Sequence, residues 1–223
     1  MLGVHNIYMA GDGLPNDLQT AEALSRQVAR MKKIVWEVTP DPPFLYTPKL
    51  NVLKTLKSRY PQIEGIVLDD MMTSRKNLGL RPKHVAALRQ ELAPMGKSIK
   101  VYGNVYTKNF NDPLLPEYIP LLDGFLMAEW QADDLPKLKE NVATLARLGP
   151  GKPVMVALYL YDYGKDRKMP RHLMQLQCEK ALELAKEGRI TGIVFVLVNN
   201  DRDTVVWTRD WIRTHAGDSL GAQ

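Results

Sequence analysis

Short and nearly continuous apolar runs recur along the chain, spaced by about 30 residues, the length of one βα unit. They are Val4–Met9, Ile34–Val38, Gly65–Leu68, Ile99–Val105, Gly124–Ala128, Val154–Leu160 and Gly192–Val198. Runs of this length without polar alternation read as strands buried on both faces, the pattern of a parallel sheet. Helical patterns lie between them: Asp17–Met31, Pro48–Tyr60, Pro82–Met95, Leu114–Leu122, Leu135–Leu148, Arg171–Glu187 and Thr204–His215. Thr47-Pro48 and Arg81-Pro82 put proline in a first turn, where no backbone donor is needed. Met95-Gly96, Leu148-Gly149-Pro150-Gly151 and Glu187-Gly188 supply stop signals.

Strict strand–helix alternation requires right-handed crossovers that pack back on one parallel sheet. The expected fold is therefore an α/β (β/α) barrel of the TIM type. Seven βα units are visible, one short of eight, and the first strand opens almost at residue 1. An upstream unit is expected to complete the set, and any leader would lie before it, so localisation stays open. A doubly wound sheet would place a glycine-rich phosphate turn after the first strand. Ala10-Gly11-Asp12-Gly13-Leu14-Pro15 lacks the third glycine and has a proline where a donor is wanted. No linker or low-complexity tract interrupts the chain, so residues 1–216 are expected to form one domain, with 217–223 a frayed tail.

Composition narrows the function. The 223 residues are 45% hydrophobic and 25% charged, as in an average globular chain, and no run of about 18 apolar residues is present to span a membrane. The net charge of +5 is spread over the helices beside acidic neighbours rather than gathered in a basic stripe, which argues against nucleic acid. Cys178 is the one cysteine, so no internal disulfide forms, and it reads as a buried, inert thiol. His5, His84, His172 and His215 fall on separate elements without metal-ligand spacing, so neither a metal nor another cofactor is expected. No Gly-x-Ser-x-Gly elbow occurs. The oligomeric state is not legible.

In a barrel of this type the C-terminal strand ends carry function and the N-terminal ends stability. The C-terminal ends here are acidic and aromatic: Trp36-Glu37, Asp69-Asp70, Tyr102 and Asn104 with Tyr106, Glu129-Trp130, Tyr159 with Tyr161-Asp162-Tyr163, and Asn199. The opposite ends show Lys32-Lys33, Lys97 and Lys152 instead. Alternation along a strand lets only one of Asp69 and Asp70 face inward; the other is expected to serve the following turn. Asp69, Asp70, Glu129 and Asp162 are the candidate catalytic carboxylates. Sugars offer apolar C–H faces bordered by hydroxyls, so Trp36, Glu37, Tyr102, Asn104, Tyr106, Trp130, Tyr159, Tyr161 and Asn199 are the candidate saccharide-binding residues.

Gly65-Ile66-Val67-Leu68-Asp69-Asp70 resembles the fourth-strand signature of glycoside hydrolase-like TIM barrels, and Leu158–Tyr163 with Gly188–Phe195 resembles stretches of uncharacterised bacterial barrels of that kind. With one unit missing in front, Gly65–Asp70 would be strand four and Val154–Asp162 strand seven. In the large retaining clan of these enzymes the acid/base ends strand four and the nucleophile strand seven. The resemblance thus implies Asp69 or Asp70 for the first role and Asp162 for the second. The chain departs from that clan in lacking Asn-Glu on strand four and Glu on strand seven. It also lacks the DxxDxDxE pattern of chitinase-like barrels.

The expected activity is hydrolysis of a saccharide, in which one carboxylic acid protonates the leaving oxygen and a second carboxylate acts as base or nucleophile. One partner is expected to be Asp69 or Asp70, the other Glu129 or Asp162. A non-catalytic carbohydrate-binding barrel is the alternative. A sugar-phosphate isomerase or aldolase is disfavoured because Val198-Asn199-Asn200-Asp201 has no glycine-rich turn and carries an acid that would repel phosphate.

Overall fold

Seven parallel strands alternate with helices in a computed structural model that describes residues 4–11, 13–38, 47–72, 80–197, 202–215 and 217. The sheet strands are β1 (Asn6–Met9), β2 (Lys33–Glu37), β3 (Ile63–Leu68), β4 (Lys100–Tyr106), β5 (Gly124–Ala128), β6 (Val154–Tyr159) and β9 (Gly192–Val196). Their order in the sheet follows the chain. The helices are α1 (Leu18–Gln27), α2 (Thr47–Arg59), α3 (Pro82–Leu92), α4 (Leu115–Tyr118), α5 (Leu138–Leu148), α6 (Arg171–Lys186) and α7 (Arg202–His215). The fold is that of an α/β TIM-type barrel, with seven βα units among the described residues where a complete barrel has eight.

Three helical patterns are cut by proline. Pro94 turns the end of the third helix into the 3-10 segment Ala93–Ser98, Pro120 leaves α4 short and followed by the 3-10 turn Ile119–Leu121, and Pro136 sits in the 3-10 segment Ala132–Lys137 before α5. Each of these prolines lacks the N–H that a continuing α-helix would use and crowds the preceding turn, whereas Pro116 stands in the first turn of α4, where no donor is needed. A small antiparallel hairpin, β7 (Tyr161–Asp162) with β8 (Arg167–Lys168), follows β6. Its two-residue strands are too short to show alternation in sequence.

The chain divides into two compact units. The first comprises His5–Asn104 and Asp112–Gly124 and holds β1 to β3, most of β4, and α1 to α4. The ladders pair Tyr8 with Val35, Val35 with Gly65, Glu37 with Val67, and Val67 with Tyr102. These residues therefore share one sheet face. Trp36 pairs with Ile66, and Leu68 with Gly103, on the other face. There the core is tight: a side chain on Gly103 would come within 2.6 Å of Leu122 Cδ1 and 2.7 Å of Met71 Cε. Asp17 caps α1 by accepting from the Thr20 N–H at 2.8 Å.

The second unit comprises Met1–Val4, Val105–Asn111 and Phe125–Gln223 and holds the end of β4, β5, β6, the hairpin, β9, and α5 to α7. β5 pairs with β6 from Phe125–Val154 to Ala128–Ala157, and β6 with β9 from Met155–Gly192 to Tyr159–Val196. Phe125, Met127, Val156, Leu158, Leu138, Leu145 and Leu184 are fully buried here. Cys178 lies among them, and burial pushes its thiol up to about 12. No helix among the described residues is long and apolar enough to cross a membrane.

Candidate active site

In the first unit, strand alternation carries Glu37, Asp69 and Asn104 to the C-terminal ends of β2, β3 and β4. Asn104 Nδ2 donates a short hydrogen bond to Asp69 Oδ1, which also accepts from the Asp70 N–H at 3.0 Å. Asp69 is half-buried, whereas Asp70 is exposed in a left-handed turn at φ 47°. Aspartate tolerates that region better than most residues. The adjacent aspartates thus have different surroundings, one beside a buried amide and one in water. Glu37 is buried, and its Oε2 accepts from the Gly11 N–H at 2.8 Å. Gly13 lies over the same carboxyl at φ 68°, where a side chain would be strained and would sit 3.6 Å from Glu37 Cδ.

Tyr102 faces Tyr8 with ring centres 6.3 Å apart, and burial raises the hydroxyl pKa of both. Trp36 is 1% exposed on the opposite face, and its indole N–H has no partner among the described residues. It has almost no surface to offer a ligand and packs as core.

The second unit gathers the other aromatics. Trp130 stacks on Tyr163 with ring centres 5.6 Å apart, and Tyr106 meets Trp130 edge-on at 5.3 Å. Tyr163 also meets Tyr159 at 5.1 Å and Tyr161 at 5.2 Å. The hairpin holds Tyr161 and Tyr163 in place. Tyr161 donates its hydroxyl to Asp166 at 2.7 Å, and Gly164 sits so close that a side chain there would lie 2.9 Å from Gln131 Cγ. Lys108 places its ammonium 3.8 Å from the Trp130 ring centre and 4.9 Å from that of Tyr106.

Two carboxylates lie in this unit. Glu129 is buried, with Oε2 accepting from the Thr107 hydroxyl at 2.8 Å and Oε1 from Asn141 Nδ2, on α5, at 2.7 Å. Burial pushes its carboxyl above the ordinary range, and the two donors partly offset this. Asp162 is 1% exposed; its Oδ2 accepts from Arg167 Nε at 3.0 Å, while Oδ1 has no partner among the described residues. Asn199 lies outside the described residues. Among those described, no group of three or more His, Cys, Asp or Glu could hold a metal ion.

The structure therefore brings together Tyr106, Trp130, Tyr159 and Tyr161 in one unit, and Asp69 with Asn104 in the other. Sequence reasoning missed Thr107, Lys108, Asn141 and Arg167. Thr107 and Lys108 directly follow the fourth strand, where the acidic and aromatic residues drew attention away from them. Asn141 and Arg167 carry no motif, because their partners come from other elements or across a hairpin.

No family model and no curated protein sequence matches the chain. Solved structures do resemble it in fold. An active-site mutant of the Rhizomucor miehei β-1,3-glucanosyltransferase, in complex with laminaritriose, superposes with a TM-score of 0.60 at 15% identity, over 86% of this chain and 74% of that one. A family 18 chitinase from Crocus vernus gives 0.55 at 11% identity, over 90% and 76%. The GH99 endo-α-mannosidase from Bacteroides thetaiotaomicron gives 0.55 at 12% identity, over 96% and 74%. These structure neighbours are carbohydrate-active enzymes; at such identities the likeness concerns the fold.

Proposed function

We propose that the chain is a glycosidase-like hydrolase whose saccharide packs on the aromatic cluster of the second unit. The observation that carries this reading is the convergence of the partly exposed Trp130, Tyr159, Tyr161 and Tyr163, with buried Tyr106 packed edge-on against Trp130, at the C-terminal ends of strands, where barrels of this type keep their sites. Aromatic faces suit the C–H faces of sugar rings, and the carbohydrate-active neighbours support the same direction by analogy.

Hydrolysis needs a carboxylic acid to protonate the leaving oxygen and a carboxylate to act as base or nucleophile. Asp162 is our choice for the carboxylate: Arg167 compensates its charge through Oδ2, and Oδ1 stays uncommitted between two cluster tyrosines in sequence. For the acid, Glu129 offers a carboxyl that burial biases toward the protonated form. Asp70 is assigned to its turn.

A second reading, a barrel that binds saccharide without turnover, is favoured by the full commitment of Glu129 to Thr107 and Asn141. Release of reducing ends from a panel of oligosaccharides separates the two. Hydrolysis predicts turnover by the wild-type chain and a loss of about 10² or more in Asp162→Asn, and in Glu129→Gln if that carboxyl is the acid, as expected when acid–base help is removed. Binding without release supports the second reading. Wild-type turnover in both variants removes these carboxylates from the mechanism.

A further inference from the structure

We propose that the saccharide carries a carboxylate and that Lys108 binds it; this rests on the saccharide reading above and specifies the substrate class. Sequence reasoning describes the strand ends as acidic and aromatic, yet the aromatic cluster has a cation built into it. Lys108 is exposed, and its ammonium rests 3.8 Å from the centre of the Trp130 ring. The short turn Thr107–Asn109 that carries it is tied down on both sides. The Thr107 hydroxyl donates to Glu129, and the side chain of buried Asn109 accepts from the Tyr106 N–H at 3.1 Å. The position of the lysine is therefore set by the fold around it.

Two other cations of this unit are paired with carboxylates. Lys165 pairs with Asp133 at 2.6 Å and Arg167 with Asp162 at 3.0 Å. Lys108 has no acidic partner among the described residues; it meets ring faces instead. A ring face attracts the charge without accepting all three N–H groups, so donors remain for an anion. A saccharide lying on the aromatic rings would bring a carboxylate on its own ring within reach of that ammonium, whereas a neutral sugar would leave it unused. The recognised class is an acidic, uronic-type saccharide.

The test is calorimetric titration with a hexuronic acid oligomer and its carboxyl-reduced neutral counterpart, against wild type, Lys108→Met and Lys108→Arg. Methionine keeps an apolar stem over Trp130 and removes the charge; melting curves check that each variant folds. Wild type is expected to bind the acidic oligomer at least about tenfold more tightly than the neutral one, as one charge-assisted hydrogen bond allows. That preference is expected to vanish in Lys108→Met, persist in Lys108→Arg, and shrink with added salt. Equal binding of both oligomers by wild type, or a preference that survives in Lys108→Met, overturns the assignment and leaves the saccharide reading standing. Failure of wild type to bind either oligomer overturns it too, and counts against the saccharide reading as well.

Discussion

Replacing Glu129 with glutamine is expected to destabilise the protein by about 1–2 kcal/mol at pH 7. In the native site one oxygen accepts from Asn141 Nδ2 at 2.7 Å and the other from the Thr107 hydroxyl at 2.8 Å. A carboxylate accepts at both positions. A glutamine amide accepts at one and presents its own N–H₂ at the other, so one donor loses its acceptor. A buried donor left in that state costs about 1–3 kcal/mol. Two effects pull the loss toward the lower part of that range. The Thr107 hydroxyl can rotate, and glutamine removes the desolvation cost that raises the Glu129 pKa. For a chain of this size the melting temperature should fall by about 3–6 °C, measured by calorimetry. The pH dependence supplies a second reading. A raised folded-state pKa means that the native protein holds a proton where the unfolded chain has lost it. This stabilisation is complete below the ordinary glutamate range and is lost as pH rises through the raised value. Glutamine lacks that dependence, so the gap between the two proteins should be widest in acid and narrow with rising pH. A variant as stable as wild type at pH 7, with a gap that does not move with pH, would refute the argument that burial and the two donors define this carboxyl.

Three further outcomes follow from the packing. Gly103→Ala should lower stability by about 1–3 kcal/mol, because its methyl would clash with Leu122 Cδ1 at 2.6 Å and Met71 Cε at 2.7 Å in a filled core; an unchanged denaturant midpoint would contradict this. Gly164→Ala should shift the hairpin away from Gln131, altering tryptophan fluorescence through the Trp130–Tyr163 stack and weakening saccharide binding with little change in melting temperature; wild-type fluorescence and affinity together would uncouple the hairpin from the cluster. Cys178 should resist thiol reagents in the native protein and react on unfolding, since burial holds the thiol near 12; rapid native labelling would contradict that burial.

Strands β2 to β6 were legible because a strand covered on both faces must be apolar at almost every position; β1 and β9, also apolar in sequence and expected to be buried on both faces, are only partly buried. Helix ends were less legible. Expected single helices after the third, fourth and fifth strands break into 3-10 turns at Pro94, at Pro120 and at Pro136, where the missing N–H outweighs an otherwise helical spacing of apolar residues. The surroundings of some candidate residues were legible, for the same geometric reasons. Alternation implied that Asp69 and Asp70 could not share a role. In the structure Asp69 accepts from Asn104, and Asp70 takes a left-handed turn at φ 47°. The same alternation, applied to Trp36 and Glu37, separates a core indole from a carboxyl on the face shared with Val67 and Tyr102. What sequence could not show was which donors each carboxylate would meet. Gly11 for Glu37, Asn141 for Glu129 and Arg167 for Asp162 come from loops, a helix and a hairpin.

Under the proposed function, those donors set the carboxylates apart. Glu129 has both oxygens engaged, and its substitution should register first in stability. Asp162 has one oxygen bound to Arg167 and one buried without a partner, an arrangement that costs about 1–3 kcal/mol if it serves only the fold. Asparagine at Asp162 would weaken the Arg167 contact while relieving part of that cost, so the net change in melting temperature should be small. Under the proposed hydrolytic reading turnover should fall, because that reading rests on the uncommitted oxygen. Given an oligosaccharide that the wild type hydrolyses, the comparison of Glu129→Gln with Asp162→Asn separates a brace from a reacting group. A brace moves the melting curve and leaves turnover nearly intact, and a reacting group loses turnover and melts nearly like wild type. If Asp162→Asn instead unfolds the protein at moderate temperature while Glu129→Gln melts like wild type, the roles assigned to the two carboxylates are exchanged. The aromatic cluster would then be served by Glu129, directly after β5, rather than by Asp162 in the hairpin.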